Sequence, residues 1–367
     1  MVVSFDIFND FLLGFRLQSN LAIKRGILEP KAQEEIIENI KGYYNRLNKT
    51  NIIKEIRQFF RDSPSDFSLS KFVSEKHIPL HKIYNTVTWG ELCVLAGVQK
   101  ESSPNSKLLK FAVSNKWLAT DSYSYFCQLK EFVDVGFQID TSTMNGYQKR
   151  CATMLYYDLF DKAEEYCSVQ AMFDDLAKDT LLIGEMKDVI NILRDGCSAP
   201  EKKDNSVYAD WSPLHLHGIY TKAQIQAALG LSTINKKSSS REGVERKSDI
   251  KLEAMYVDII KKREEGSLTD YKDFAQSRDL FHWETQNRVA DGSKEALAYR
   301  NGANNMLLFV RQQSEDPEMG CTMGYTYLGQ VTMNSIRGSK PMQIVWKLKT
   351  PMSEATYAFA SQYKALG

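Results

Sequence analysis

Apolar residues recur at helical spacing through residues 1–200. Ile36, Ile37, Ile40, Tyr43, Tyr44 and Leu47 follow an i, i+3, i+4, i+7 pattern, which predicts a one-faced helix. Ile52, Ile53, Ile56, Phe59 and Phe60 repeat it. The connector Asn48-Lys49-Thr50-Asn51 separates the two, with Thr50 or Asn51 as the expected N-cap. Asp62, Ser63, Pro64, Ser65 and Asp66 read as a loop. Between Leu69 and Val98 two short helices are expected, separated by Pro79 and the Thr86–Thr88 region, with Gly97 closing the second. Residues 149–193 predict further helix, carried by Met154, Leu155, Leu159, Met172, Phe173, Leu176 and Leu182.

The pattern changes near residue 195. Gly196, Ser198, Pro200 and Asn205 punctuate a polar link. A second polar stretch, Asn235 to Gly243, reads as a solvated loop. Beyond 250 the signals are those of strands: Leu307–Val310, Tyr325–Val331, and the alternating Gln343–Leu348, with a turn at Gly338–Pro341. Glu354 to Leu366 predicts a short helix. The expected class is α+β. A helical region, 1–200, with sub-bundles 1–62 and 63–200, precedes an α+β domain, 205–367, built on a mainly antiparallel curved sheet or partly closed barrel. A PUA- or SRA-like barrel is the analogy at fold level.

Composition excludes several classes. The chain has 367 residues, 43% hydrophobic and 25% charged, which is ordinary for a globular protein. A net charge of +1 supplies no global attraction to nucleic acid or membrane, so such a partner needs a local patch. Residues 236–263 hold nine basic against five acidic side chains and form the one local excess worth weighing. Six irregularly spaced cysteines read as buried free thiols, neither zinc ribbon nor redox pair. The N-terminus lacks the basic start of a signal peptide, and no apolar run approaches the ~20 residues of a membrane span. A cytoplasmic location is expected, with no membrane partner.

No Gly-Lys pair occurs, which removes the phosphate-cradling P-loop and with it an expected nucleotide. Gly-x-Ser-x-Gly and His-Glu-x-x-His are also missing. His215 and His217, with Cys197 upstream, are loose candidates for metal ligands and lack the spacing of a recognised metal motif, so no metal is expected. Asp210, Glu245 and Lys247, with Glu284 as a substitute acid, could form a Mg²⁺-dependent nuclease site, two carboxylates holding the ion and the lysine steadying water. A solvated charged face explains the same residues more simply.

The densest unusual chemistry is the run Tyr271 to Arg288. Rings there interleave with amides and cations. Trp283 and His282 offer stacking faces, Gln286 and Asn287 offer paired donors and acceptors, and Arg278 and Arg288 could hold phosphates. A core strand with Phe281 and Trp283 buried is the competing reading. The series Tyr271, Asp273, Ala275, Ser277, Phe281, His282, Trp283, Thr285, Gln286 and Asn287 resembles the signature of a C-terminal domain of unknown function (DUF3427 type) in bacterial superfamily II DEAD/DEAH-type helicases. That domain often sits behind a phospholipase-D-like nuclease. Arg241–Val244, Leu307–Arg311, Tyr327–Gly329 and Gly338–Met342 fall in the same order, and Ile83-Tyr84 with Trp89, Leu92, Ala96 and Gly97 resembles the segment before it. Thr285 stands where Ser is more usual. Neither the motor nor the nuclease is legible in the chain.

The resemblance implies a DNA-processing or phage-defence system, with DNA, modified or unmodified, and a helicase or nuclease subunit as partners. The expected function is a non-enzymatic DNA-recognition module without a cofactor. Lys236, Lys237, Arg241, Arg246 and Lys247 would neutralise phosphates, and His282, Trp283, Gln286 and Asn287 would contact a base. A docking or autoinhibitory subunit is the alternative, and the Mg²⁺-dependent nuclease the second alternative.

Overall fold

The structure is a computed structural model, and it describes residues 47–240, 243–261, 272–317 and 320–362. Two compact units are formed. The described part of the first comprises 47–114, 130–139 and 173–196; the second holds 115–129, 140–172 and the described residues from 197 on. The predicted helix over 36–47 lies outside the described residues, apart from its last position.

In the first unit, α1 (Lys49–Asp62) buries Ile52, Ile56 and Phe59 along one stripe. Its N-cap is Asn48, not Thr50 or Asn51: the Asn48 side chain accepts the Asn51 N–H at 3.0 Å, so the expected connector is already the first turn. Residues 69–98 form three helices where two were expected, because both breakers act. These are α2 (Leu69–Lys76), α3 (Leu80–Tyr84), which starts behind Pro79, and α4 (Trp89–Ala96). Thr88 and Glu91 close a capping box on α4, and Gly97 ends it with a positive φ of 72°. The helix α5 (Ser106–Asn115) follows; α6 (Tyr123–Asp134) and α8 (Val169–Leu176) are divided between the two units.

From α9 (Thr180–Asp195), the half-buried Glu185 carboxylate accepts the Tyr84 hydroxyl at 2.7 Å and the backbone N–H groups of Trp89 and Gly90 at 2.8 and 3.0 Å. An anion at the first turn of α4 satisfies donors the helix cannot. Burial nevertheless pushes the Glu185 pKa up. A Cβ on Gly90 would stand 2.9 Å from Glu185 Oε2, so any larger residue would push that carboxylate aside.

The second unit contains α7 (Gly146–Leu159), β1 (Ile219–Tyr220), α10 (Lys222–Ala228), β2 (Val244–Lys247), β3 (Leu252–Asp258), β4 (Phe274–Ala275), β5 (Leu280–Glu284), α11 (Lys294–Arg300), β6 (Asn305–Arg311), β7 (Tyr325–Gly338), β8 (Met342–Leu348) and α12 (Glu354–Ala360). The strand order is β2-β3-β6-β7-β8-β5-β4, with β1 beside the start of β7. Only β3 and β6 run parallel; every other pair among the described strands is antiparallel. The result is a mixed sheet forming a half-barrel. Register shifts at Leu308/Phe309 and Met333/Ser335 bend it. At the first shift Gly329 has φ 86°, and a Cβ there would lie 2.6 Å from Leu216 Cδ2.

Alternation sorts the strand residues between faces. Met255, Val257, Phe281, Trp283, Leu308, Val310, Ile344 and Trp346 belong to one core. On the other face Tyr256, Phe309 and Tyr327 stack in series, with ring centroids 5.6 and 4.9 Å apart. Capping boxes start α7 (Asn145 with Gln148) and α10 (Thr221 with Gln224).

These helices meet at Asp158. Its fully buried carboxylate accepts Trp117 Nε1 at 2.7 Å, the Tyr125 hydroxyl at 2.6 Å and Gln224 Nε2 at 2.9 Å. Gln224 in turn accepts the Thr120 hydroxyl and the Thr221 N–H. Burial pushes the Asp158 pKa up to about 6 against the pull of these donors. The folded chain therefore holds this proton more tightly than the unfolded chain. The contribution of Asp158 is complete below the ordinary carboxylate pKa and declines as pH rises through about 6. Asp158→Ala is expected to lower stability by about 3 kcal/mol or more in mild acid, since three buried donors lose their acceptor. Denaturant titrations from about pH 4 to 7 should show the gap between wild type and variant narrowing as pH rises.

Candidate functional site

The edge strand β2 presents alternate residues to opposite sides. Val244 packs against the core, and Arg246 reaches Glu253 across the β2–β3 pair at 2.9 Å. Glu245 and Lys247 face the other way. Gln226 donates to Glu245 Oε2 at 2.9 Å, Ser238 donates to Oε1, and Lys247 Nζ lies 2.8 Å from the Gly230 carbonyl. Beside them the polar stretch 235–240 turns back through a Thr233–Lys236 bridge. Lys236 is exposed there, and Lys237 Nζ lies 2.8 Å from Asp161 Oδ1.

A cavity of about 650 Å³ opens among these segments. The loop contributes Lys236 and Lys237, and β2 contributes Arg246, Lys247 and Glu245. The end of β5 and the turn after it contribute Trp283, Gln286 and Arg288; α11 contributes Glu295 and Tyr299. The lining thus brings five cations against two carboxylates. Burial opposes the charge on Arg246, while Glu253 and Tyr299 more than restore it, so its pKa stands above the ordinary value. Arg288 Nε donates to Gln286 Oε1 at 2.6 Å, and its guanidinium lies 3.6 Å from Glu295. Trp283 meets Tyr299 edge to face at 5.9 Å.

Val244, Trp283 and Gln286 also line a second cavity, of about 440 Å³. Arg311 there grips Asp258 with two bonds of 2.7 and 2.8 Å and lies over the Tyr325 ring. Both cavities therefore border the gap between β2 and β5.

Other predicted residues lie elsewhere. His282 sits on the opposite side of β5 from Trp283, as strand alternation demands. Its Nδ1 is 2.6 Å from the Lys272 carbonyl, and its ring stacks on Phe274 at 5.0 Å. Arg278 bonds the Met352 carbonyl at 2.8 Å and pairs with Glu354, fastening the start of α12. Asn287 is exposed but outside the lining, and so is Asp210. Arg241 lies outside the described residues. Glu284 borders the second cavity, where it accepts the Lys272 N–H, while Asp273 accepts the Glu284 N–H and Lys261. Burial pushes the Asp273 pKa up.

Among the described residues no cluster of three or more His, Cys, Asp or Glu is placed to hold a metal. The cysteines are free, but only Cys93 and Cys151 are buried; Cys167 is exposed. No helix of the described residues is long and apolar enough to cross a membrane. The sequence reading missed Tyr299, Glu295 and Glu253. None sits in a recognisable motif, and each reaches the site only through folding.

The motif itself divides in two. The buried Thr285 hydroxyl accepts the Met342 N–H at 2.9 Å, while its own N–H donates to the Met342 carbonyl at 3.0 Å. Gln286 is half-buried, and its side-chain oxygen accepts from the neighbouring Arg288 guanidinium. Thr285→Val is expected to cost about 1–3 kcal/mol by leaving a buried N–H unpaired. Gln286→Ala should cost under about 0.5 kcal/mol. Thermal melts of the two variants check this contrast.

No curated protein matches the chain. Residues 214–360 match the model of a family described as a domain of unknown function (DUF3427). The match takes in all eight described strands and the whole lining of the 650 Å³ cavity. This part of the chain is accordingly similar to a DUF3427-type domain.

Proposed function

We propose that the cation-lined cavity on the β2 edge binds DNA, and that this domain is a non-enzymatic recognition module working beside a helicase or nuclease in a bacterial DNA-processing or phage-defence system. The supporting observation is the convergence of five cations from three chain segments around one cavity. A phosphate backbone presents anions that such a cluster neutralises, with release of condensed counterions. Gln286, at the rim, carries an amide suited to a base edge, and Trp283 with Tyr299 supplies apolar ring surface. The link to a helicase rests on the resemblance of the Phe281–Asn287 motif.

The nuclease reading is weaker on geometry. Both oxygens of Glu245 already accept hydrogen bonds, and Asp210 is outside the lining. Docking onto a motor or nuclease subunit is the competing reading, and a DNA titration separates the two.

Affinity for duplex DNA should fall linearly in log–log terms with salt, by a slope of about −0.9 per phosphate neutralised. Lys236→Ala and Arg288→Ala should each flatten that slope by about 0.9 with little change in melting temperature. Arg246→Ala should also lose about 1–3 kcal/mol of stability, because the buried Glu253 loses its charged donor. Absent binding at low salt, or binding indifferent to salt, would overturn the proposal.

A further inference from the structure

The β2 edge is open along its main chain. β2 ends the sheet, with β3 as its neighbour on one side. In an antiparallel ladder alternate residues direct both backbone groups at the partner strand. The Tyr256 N–H donates to the Gly243 carbonyl at 2.8 Å, so in this register Glu245 and Lys247 bond β3. The N–H and C=O of Val244 and Arg246 point away from it, and among the described residues no backbone group pairs with them. Across the gap the outer side of β5 is taken. β4 pairs with Phe281 and His282, and the Asp273 carboxylate accepts the Glu284 N–H at 2.9 Å. Val244 and Trp283 line both the 650 Å³ and the 440 Å³ cavities, so open space runs along the β2 edge.

We infer that the open edge of β2 accepts an extended peptide alternating acidic and apolar residues, added as a further strand of the half-barrel. Val244 and Arg246 offer it two donors and two acceptors at strand spacing. Alternation then sorts its side chains. Those opposite Val244 meet the apolar surface that Val244 shares with Trp283 and Tyr299. Those opposite Lys247 meet the 230–240 segment, which bonds Lys247 and Glu245. Lys237, Arg246 and Arg288 each have a carboxylate neighbour, whereas Lys236 and Lys247 have none among the described residues. Acidic groups on that face meet these two cations, and basic groups are repelled. The charges on β2 thus deter other strands and admit this one. A DNA backbone offers phosphate acceptors only and leaves the Val244 and Arg246 carbonyls to water. The inference does not rest on the DNA reading, but it uses the same cations, so a bound strand would shut DNA out of the cavity.

The test uses the full chain and a dye-labelled peptide, Glu-Val-Glu-Val-Glu-Val-Glu, followed by fluorescence anisotropy. Two further versions carry N-methyl groups, one on its valines and the other on its inner glutamates, with the charge unchanged. Saturable binding of the parent peptide at low salt is expected. A strand bonds a single neighbour through alternate amides, so one methylated version should lose at least about tenfold in affinity while the other stays within about threefold. A block arrangement of the same residues should bind at least about tenfold more weakly. Val244→Pro removes one outward donor, and proline is tolerated on an edge strand where its nitrogen faces away from the ladder. It should weaken the parent peptide by about three- to tenfold at an unchanged melting temperature. If that variant does not fold, the methylated peptides decide with the wild-type chain alone.

Alternate-amide dependence with competition by DNA places both ligands on the β2 edge. The same dependence without any DNA binding sinks the DNA reading and leaves this inference standing. Peptide and DNA bound together without competing also leave it standing and move DNA off the cavity. If both methylated versions bind like the parent, or both lose equally, charge or bulk alone governs binding and the inference is wrong. DNA binding with no peptide binding, or no binding of either, overturns it as well.

Discussion

One buried carboxylate holds together the part of the molecule that carries the candidate site. Asp158 gathers an indole, a phenol and an amide from the 115–129 segment and α10 onto α7. A lone anion in a protein interior is expensive unless hydrogen bonds surround it. Three donors meet that requirement here, yet the raised pKa shows that burial still outweighs them. The arrangement specifies geometry more than it adds stability. The three donors have few other partners once water is excluded, so the segments cannot slide past one another without leaving several of them unpaired. Glu185 plays the same part in the first unit, where it receives the first turn of α4.

The site on the β2 edge follows from that support. Gln224 bonds Asp158, and Gln226, two residues on in the same helix, bonds Glu245. The chain of hydrogen bonds thus runs from the buried carboxylate through α10 to the edge strand. Lys247 closes it by bonding the Gly230 carbonyl, just beyond the helix. An edge strand is open to unwanted pairing, and charged side chains are a common protection. Here Glu245, Arg246 and Lys247 give that protection and line a cavity as well.

Charge at this cavity is locally compensated yet uneven. Arg246 is committed to Glu253, Lys237 to Asp161, and Arg288 approaches Glu295. Such pairs hold side chains in place at a modest net gain when exposed. The cationic excess that remains is a property of the convergence, since the whole chain carries only +1. The same pairing reaches into the interior, where Arg246 and Asn304 share one oxygen of the buried Glu253.

Much of the fold could be read from periodicity. The stripe Ile52, Ile56 and Phe59, the alternation in Gln343–Leu348 and the breakers at Pro79 and Thr86–Thr88 depend on local geometry, which sequence spacing reports directly. The curved, mainly antiparallel sheet was expected with the barrel analogy, since strand spacing by itself does not report curvature. The parallel β3–β6 pair was not expected, because partner choice depends on contacts far apart in sequence. The candidate site was half legible. The basic run at 236–247 and the ring-and-amide motif were visible as chemistry, and seven of the residues expected to contact DNA share one cavity. Adjacency along the chain misled at His282 and Arg278, whose side chains are bound into the β4–β5 turn and the start of α12. The sequence by itself determined which segments are helix or strand and which carry unusual chemistry. Only the tertiary structure decided which of those groups face one another. A strand sends neighbours to opposite faces, and it becomes an edge only once the other pairs of the sheet have formed.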